Sequence, residues 1–501
     1  MKRLLPSVAA LGPRRKLFAL ANALNMIGRA SFIYVLSRLL PSGLGFVTGL
    51  VLTWLMAPAA YGLYGLGFAI VVMASSVFFD WHQLTLARFF ESNHQSPLFM
   101  PTAVMIFVAL CAASLLGYAI VVVTPWGRAH FWLLLVCLPG TWAYAWFEFA
   151  ARVKVAQFQP LEYFWMNLAR NGAILVLVVL IAWLTHNPIA VLAGAFASMF
   201  AASMLFSFKG VRLGRKFLDL ALARKMLRFG WPAAITMSMA GLSGMLARPL
   251  LDSLSGHEAV GFFTVAYTLT QNSIGLVAAG IGSATYSIAV KAVDSGESRA
   301  AQAQLTSNCV LLFGLLLPVT VGVVWIMPAL AKTIVGPRYI EAVTQLTPLL
   351  AASALLMSLR AQYFDHAFQL AHRTGLQAWT MVITVLLNIG LNFLLIPTYG
   401  YVGAGVASVI TAGLSLLIGV FAARYCYPMP FPIRDILKIA AASALMAIIL
   451  ELQRANSGTI SIIIQVASGS LGFLAALVAL NLLDLRKRFP NYFRAICARH
   501  R

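Results

Sequence analysis

The chain has 501 residues, of which 61% are hydrophobic and only 10% are charged. Soluble domains are about half apolar and a quarter charged, so this composition excludes a soluble globular fold, a disordered chain and a secreted disulfide scaffold. The net charge of +22 is compatible with a nucleic-acid binder or with a membrane protein that has basic cytoplasmic loops, and the distribution of the charges decides between them.

The first 32 residues are basic, and Arg14, Arg15 and Lys16 interrupt their apolar stretch. A signal peptide has one uninterrupted apolar core, so we predict a cytoplasmic arm over residues 1–32 instead. Apolar windows then predict fourteen helices, each close to the length of about 20 residues that crosses a bilayer. The predicted spans are 33–56, 61–81, 99–123, 130–150, 163–184, 188–207, 228–252, 260–288, 304–330, 343–369, 374–396, 401–424, 433–452 and 459–484.

The basic residues lie mostly on one side of these predicted spans. With the N-terminus inside, 28 of the 36 Lys and Arg residues fall on the cytoplasmic side, four fall on the opposite side, and four lie within helices. This bias follows the positive-inside rule and explains the net charge without nucleic acid. It predicts a multi-pass protein of the inner membrane with both termini in the cytoplasm. The basic loops are also candidates for contact with anionic lipids.

Two short correspondences indicate an internal repeat of about 200 residues. AYGLY at 60–64 corresponds to AVGFF at 259–263, and AGAFAS at 193–198 corresponds to GAGVAS at 403–408. Because both copies begin on the same side of the membrane, the halves are related by a two-fold axis along the membrane normal, which is a transporter design. The predicted parts are an N-lobe (33–207), a linker (208–227), a C-lobe (228–424), two extra helices (425–484) and a basic tail (485–501).

Longer runs within these halves resemble a known family. The runs LSRLLPSGLGFVTGLVLTWLMAPAAYGLYGLGFAIV (36–71), FFDWHQLTLARFFES (78–92) and LLNIGLNFLLIPTYGYVGAGVAS (386–408) are similar to Wzx-type polysaccharide flippases. These flippases belong to the multidrug/oligosaccharidyl-lipid/polysaccharide (MOP) exporter superfamily. The resemblance covers residues 33–424, although His82-Gln83 replaces the usual Gly-Leu after Asp80.

The resemblance implies an all-α membrane protein with two six-helix lobes and alternating access. Its implied substrate is a polyprenyl-(pyro)phosphate-linked oligosaccharide or polysaccharide precursor, carried from the cytoplasmic to the periplasmic leaflet. A polysaccharide polymerase and glycosyltransferases would be its partners in the same pathway. Two alternatives stay open: a cation-coupled drug or solute exporter of the same superfamily, and a polytopic glycan polymerase or glycosyltransferase. The short predicted external loops argue against such an enzyme.

Charged residues inside the predicted spans are the candidate site, because burying an ion in hydrocarbon is costly. Arginine binds phosphate through two oxygens at once, so four arginines are candidates for an anion site. They are Arg38, Arg170, Arg360 and Arg248. The first three lie roughly 10 Å from the cytoplasmic side, at 1.5 Å per residue, and Arg248 lies near the outer end of its span. The alternative to anion binding is a structural role for each arginine. Arg248 and Asp252 have the i, i+4 spacing of a helical pair, whereas Arg360 and Asp365 are five apart and less suited to pairing. Arginines near helix ends can also extend their side chains to the membrane interface.

Other intramembrane residues suggest further roles. The candidates for cation or proton coupling are Asp80, Glu148, Asp252 and Asp365, with helix-end solvation or an arginine partner as the alternative for the first two. Asn388 and Asn392 share one helix face, where they suit sugar hydroxyls or a neighbouring helix, and Pro41 and Gly45 are candidates for gating by the first helix. The five cysteines form no C-x-x-C pair and the histidines are scattered, so we expect no metal site and no disulfide framework. We also expect no cofactor.

Overall fold

The computed structural model describes residue 36 and residues 40–93, 95–206, 218–294, 298–453 and 458–481. Within these ranges the regular structure is helical throughout. The predicted N-terminal arm, the first half of the predicted linker and the basic C-terminal tail lie outside the described residues. The all-α membrane fold expected from the composition is therefore confirmed where the structure describes the chain.

Sixteen helices follow one another in the described part of the chain. In order they are α1 (Leu40–Leu55), α2 (Pro58–Phe78), α3 (Asp80–Asn93), α4 (Phe99–Val123), α5 (Pro125–Ala129), α6 (Phe131–Ala156), α7 (Pro160–Thr185), α8 (Pro188–Phe206), α9 (Leu220–Met245), α10 (Ala247–Asp294), α11 (Ser298–Ile334), α12 (Ile340–Leu359), α13 (His366–Leu370), α14 (Thr374–Arg424), α15 (Ile433–Leu452) and α16 (Thr459–Ala479). A 3₁₀ turn (Pro337–Tyr339) precedes α12, and a π-helical turn (Arg360–Phe364) joins α12 to α13.

Two of these helices each contain a sharp bend at a glycine. Gly256 in α10 has φ +81°, and Gly400 in α14 has φ +55°, a region that side chains with a Cβ rarely adopt. Both glycines fall in breaks that the sequence predicts between consecutive spans. Ten ranges of the described chain are long and apolar enough to cross a membrane, and two of them, Ala234–Gly282 and Thr374–Arg424, have about the length of two crossings. The count of fourteen remains a prediction.

The predicted boundaries agree closely with several observed helices. The spans 99–123 and 433–452 coincide with α4 and α15. Apolar windows did not find α3, because its sequence, DWHQLTLARFFESN, is too polar for that criterion. α3 follows α2 after a single residue, Phe79. Its His82 is fully buried and stacks on Phe149 of α6, with 5.5 Å between the ring centroids.

The chain divides into two compact units. The first unit comprises the described parts of 1–48, 78–185 and 190–232, and the second comprises those of 49–77, 186–189 and 233–501. In the first unit, α6 packs against α3, α4 and α7. In the second, α10 and α12 pack on each other and against both α11 and α14, and α15 and α16 pack against α11. The lobe boundaries predicted from the repeat remain a prediction.

The two copies of the repeated motif, 60–64 in α2 and 259–263 in α10, meet within the second unit. A Cβ added to Gly65 would lie 2.8 Å from the Thr264 side chain, which shows how closely the two helices approach. Gly65 and Thr264 occupy equivalent positions of the repeat, since both follow their motif by one residue.

The closest approach is one turn away and is reciprocal. A Cβ on Gly62 would lie 1.7 Å from the carbonyl oxygen of His257, and a Cβ on Gly261 would lie 2.1 Å from the carbonyl oxygen of Pro58. Gly62 corresponds to Gly261 in the repeat, and Pro58 corresponds to His257. Such an exchange of equivalent contacts is the signature of a two-fold relation. The motif therefore contains glycine because each copy must accept the backbone of the other.

Candidate functional site

The first unit contains a partly exposed charge cluster on α6 and α7. Arg170 Nη1 lies 3.5 Å from Glu148 Oε1, with 19% and 29% of the two side chains exposed. The Arg170 guanidinium also lies 4.3 Å from the centre of the Phe147 ring, a cation–π contact. Tyr144 interacts electrostatically with both charges and with Asp80 at the start of α3. The cluster thus pairs a predicted anion ligand, Arg170, with one predicted coupling acid, Glu148, so its positive charge is partly neutralised.

In the second unit, Arg360 lies at the π-helical turn and is fully buried. Its Nε lies 3.4 Å from Asp365 Oδ1. The expectation that residues five apart would pair poorly is wrong here, because the π turn places the Asp365 N–H on the Arg360 carbonyl at 2.9 Å and so brings i and i+5 together.

Three hydroxyl groups complete the surroundings of Arg360. Its Nη1 donates to Thr384 Oγ1 at 2.7 Å and to Ser415 Oγ, and its Nη2 donates to Thr380 Oγ1 at 2.8 Å. All three acceptors come from α14. A guanidinium has five N–H donors, so only one is left for any further partner. In this conformation Arg360 therefore holds the π turn to α14.

Arg248, at the start of α10, has a different environment. It is buried, with 5% of the residue exposed, and its Nε donates to Thr264 Oγ1 at 3.1 Å. Its Nη1 contacts the Met245 sulfur at 2.7 Å, and the guanidinium lies 4.8 Å from the centre of the Tyr267 ring. In the part of the chain that the structure describes, Arg248 forms no ion pair with a carboxylate. Unlike Arg360, which has Asp365 beside it, Arg248 is buried with no carboxylate counter-ion among the described residues.

The neighbouring acid, Asp252, contacts His257 rather than leaving its carboxylate open. His257 Nδ1 and Asp252 Oδ1 are directly hydrogen-bonded, and the Asp252 side chain is 1% exposed. The bend at Gly256 lies between the two residues and turns the chain so that they meet. Among the described residues, the Arg248–Asp252 pair that the i, i+4 spacing suggests does not form, and Asp252 pairs with His257 instead.

The two asparagines of α14 bond within their own helix. Asn392 Nδ2 donates to the Asn388 carbonyl at 2.7 Å, and Asn388 Nδ2 lies 3.4 Å from Thr411 Oγ1 beyond the bend at Gly400. Of the two alternatives, the structure shows the contact with a neighbouring helical segment. Contact with a sugar hydroxyl remains a prediction.

The predicted gating residues, Pro41 and Gly45, both lie in α1. Pro41 is buried in the first turn of the described helix, where proline is well tolerated. A Cβ on Gly45 would lie 3.4 Å from Asn171 Oδ1, so Gly45 packs against the residue that follows Arg170. Arg38 lies outside the described residues.

The hydroxyl partners of the buried arginines were not predicted, although the sequence carries a signal for some of them. Thr380, Thr384, Asn388 and Asn392 recur every four residues along α14, and all four are buried. Such spacing puts polar groups on one helix face, which in an apolar helix indicates internal partners. No comparable pattern marks Thr264, because it reaches Arg248 through the bend in α10.

The chain is similar in sequence to one protein family and in structure to known transporters. A family model described as "Polysaccharide biosynthesis protein" matches residues 27–288. A solved structure of the lipid II flippase MurJ in an inward closed conformation is similar over 90% of this chain and 99% of its own, with a TM-score of 0.73 and 13% identity. An inward-facing multidrug resistance MATE transporter of the MOP superfamily is similar over 82% of this chain and 98% of its own, with a TM-score of 0.60 and 14% identity. No curated protein is a significant sequence match. The chain therefore has the fold of MOP-superfamily transporters.

Proposed function

The chain belongs to the polysaccharide biosynthesis protein family, and from this premise we propose that it is a flippase for a lipid-linked glycan. Its substrate is a polyprenyl-(pyro)phosphate-linked oligosaccharide or polysaccharide precursor. The protein moves this substrate from the cytoplasmic to the outer leaflet by alternating access, for the assembly of cell-surface polysaccharide. It lies in the inner membrane with both termini in the cytoplasm, and its basic loops contact anionic lipid.

The observation that carries this proposal is the buried guanidinium of Arg248. A charge that is removed from water without a counter-ion destabilises the protein by several kcal/mol, so such a group is retained where it has a charged ligand for part of the cycle. Thr264 and Tyr267 hold the guanidinium in place and leave its charge unneutralised. A pyrophosphate matches the planar fork of arginine with two oxygens. Arg248 is therefore the proposed anion ligand, closed off in this conformation and exposed in another.

The acids support an anionic substrate over a cationic drug. Glu148, Asp252 and Asp365 each contact a basic side chain, respectively Arg170, His257 and Arg360. A carboxylate engaged in this way binds a cation only after its partner has moved. Cation coupling at one of these acids remains compatible with the flippase, whereas an open acidic cavity for cationic drugs finds no support in these contacts.

The test uses cells from which the gene is deleted and then restored as wild type, as Arg248→Gln or as Arg434→Gln. Arg434 is an exposed arginine in the first turn of α15 and serves as the matched control. Lipid-linked glycan on each leaflet and surface polysaccharide are quantified together. We expect glycolipid to accumulate inside the deleted cells, and wild type and Arg434→Gln to restore surface glycan.

For Arg248→Gln we expect roughly a 10- to 100-fold lower rate of transfer, because hydrogen bonds to charged groups contribute about 1.5–3 kcal/mol. If the deletion leaves glycolipid unchanged on both leaflets, the flippase proposal is wrong, and drug export would be tested next. If Arg248→Gln behaves as the control does, the flippase stands and the role of Arg248 falls.

A further inference from the structure

A pocket lies at the end of α1, on the face predicted to be periplasmic. Its cavity has a volume of about 540 Å³, within the range usual for small-ligand sites. Its lining includes residues 53–57 at the end of α1, His186 between α7 and α8, and Pro337 and Arg338 in the 3₁₀ turn before α12. These three segments lie at or just after the ends of the first, fifth and ninth predicted spans, so the alternation of the chain puts them on the same side of the membrane.

Two hydrogen bonds and one close backbone contact join the segments that form the base of this pocket. The Gly336 N–H donates to Thr53 Oγ1 at 2.8 Å, and Tyr339 Oη donates to the Met56 carbonyl at 3.0 Å. A Cβ on Gly336 would lie 2.1 Å from the Thr53 carbonyl oxygen, so the two backbones are in direct contact. The end of α1 and the 3₁₀ turn therefore form one rigid platform.

Trp54 presents an open ring at this platform. Its Nε1 donates to the Ile334 carbonyl at 3.1 Å, while 56% of the residue is exposed. A tryptophan that only anchors the protein at the bilayer interface keeps its N–H toward the wet headgroups. Here the N–H donates to a backbone carbonyl instead, so this hydrogen bond fixes the orientation of the ring and much of its apolar surface stays exposed. The apolar C–H face of a pyranose ring is suited to such a surface.

Arg338 supplies a positive charge at the same pocket. It is one of only four basic residues that the sequence predicts on the outer side, where lysine and arginine are otherwise depleted. Arg338 is exposed, and in the part of the chain that the structure describes it forms no ion pair. His186 adds an imidazole ring to the pocket lining, and its backbone lies in the left-handed region at φ +53°. Because Arg338 lies on the side where basic residues are depleted, a local ligand explains its position better than membrane orientation does.

From these observations we propose that this pocket binds a carboxylate-bearing sugar of the translocated glycan on the outer side of the membrane. The pyranose ring stacks on Trp54, and the guanidinium of Arg338 takes the carboxylate through two parallel hydrogen bonds. The pocket holds the glycan after the lipid anchor has crossed and thereby disfavours its return. This inference rests on the proposed flippase function, but binding at the pocket is measured without transport, so the two can fail separately.

The test measures binding of soluble oligosaccharides to the purified full chain in nanodiscs of zwitterionic lipid, by saturation-transfer NMR and calorimetry. The probes are a glucuronate-containing tetrasaccharide and a neutral tetrasaccharide of glucose. The variants are Trp54→Ala and Arg338→Gln, with Trp54→Phe as a milder change. The matched controls are Lys332→Gln, an exposed base on the same predicted side, and Trp132→Ala, an exposed tryptophan of α6. Neither control residue lines the pocket.

We expect the acidic tetrasaccharide to bind more tightly than the neutral one. Arg338→Gln lowers the affinity for the acidic probe by roughly 10-fold or more and leaves the neutral probe unchanged, since it removes a charge-assisted pair. Trp54→Ala weakens both probes, Trp54→Phe weakens them less, and the two controls bind as wild type does.

Equal affinity for the two probes, or no binding at millimolar concentration, would overturn the proposal. Loss of binding in Arg338→Gln but not in Trp54→Ala would also overturn it, because that pattern describes a simple anion or lipid-phosphate contact. If transport fails in cells while the binding pattern holds, the flippase function is wrong but the pocket is a sugar site.

Discussion

Replacing Gly62 with alanine tests the reciprocal contact between α2 and α10. The new methyl group would lie 1.7 Å from the His257 carbonyl oxygen and 2.8 Å from the Gly261 nitrogen. Both are backbone atoms, so no side-chain rotation relieves the clash. The helices must separate until the distance to His257 rises from 1.7 to at least the 3.4 Å of ordinary contact.

The magnitude follows from two opposing effects. Overpacking in a well-packed interior costs about 1–3 kcal/mol, and the rigid backbone puts Gly62→Ala at the upper end. Alanine regains up to about 1 kcal/mol of intrinsic helix stability over glycine. We therefore expect Gly62→Ala to destabilise the fold by about 2 kcal/mol. Gly413→Ala in α14 is the matched control, because no heavy atom would lie within 4 Å of its new Cβ.

The assay is thermal unfolding of the purified variants in detergent, followed by tryptophan fluorescence. Gly62→Ala should melt at a lower temperature than wild type, and Gly413→Ala at the same or a higher one. Gly261→Ala should add little once Gly62 is replaced, since the first methyl group has already separated the helices. If Gly62→Ala and Gly413→Ala melt alike, the close crossing of α2 and α10 does not exist as described.

The remaining predictions contrast two arginines by burial. Arg360→Gln should lower the unfolding free energy by about 3–5 kcal/mol, because it leaves Asp365 buried without its charged partner. A simultaneous Asp365→Asn should recover part of that loss. No recovery in the double variant would argue against the pair. Arg170→Gln should change the unfolding free energy by no more than about 1 kcal/mol, because its pair with Glu148 is partly exposed. Chemical denaturation of the purified variants measures both, and a larger cost for Arg170→Gln than for Arg360→Gln would contradict the assignment of burial.

Much of the fold could be predicted because its signals are local. About 20 apolar residues in a row specify a crossing whatever the neighbouring helices are, and α4 and α15 were bounded correctly on that basis. The same local criterion does not detect α3, because the composition of α3 is polar although several of its side chains are buried. Two short correspondences in the sequence indicate the repeat. Only the structure shows that the two copies of the glycine motif, at 60–64 and 259–263, contact each other.

The sequence selects candidate site residues but does not give the partners that the structure shows for them. Intramembrane charge alone selected Arg170, Arg248 and Arg360, and the structure shows that their environments differ. Arg360 is surrounded by hydroxyl groups from α14, and the π turn that gives it Asp365 has no counterpart in the α-helical spacing used to judge the pair.

The sequence by itself determined that this protein is an all-α, multi-pass membrane protein, because transfer of a segment into hydrocarbon depends on its own composition. Tertiary structure alone decided which buried arginine keeps an unneutralised charge. The hydroxyl groups around Arg360 come from residues 20 to 55 positions away in the chain. The contact between Arg248 and Thr264 forms across the bend at Gly256. The same holds for the pocket at Trp54, whose lining comes from three separate segments.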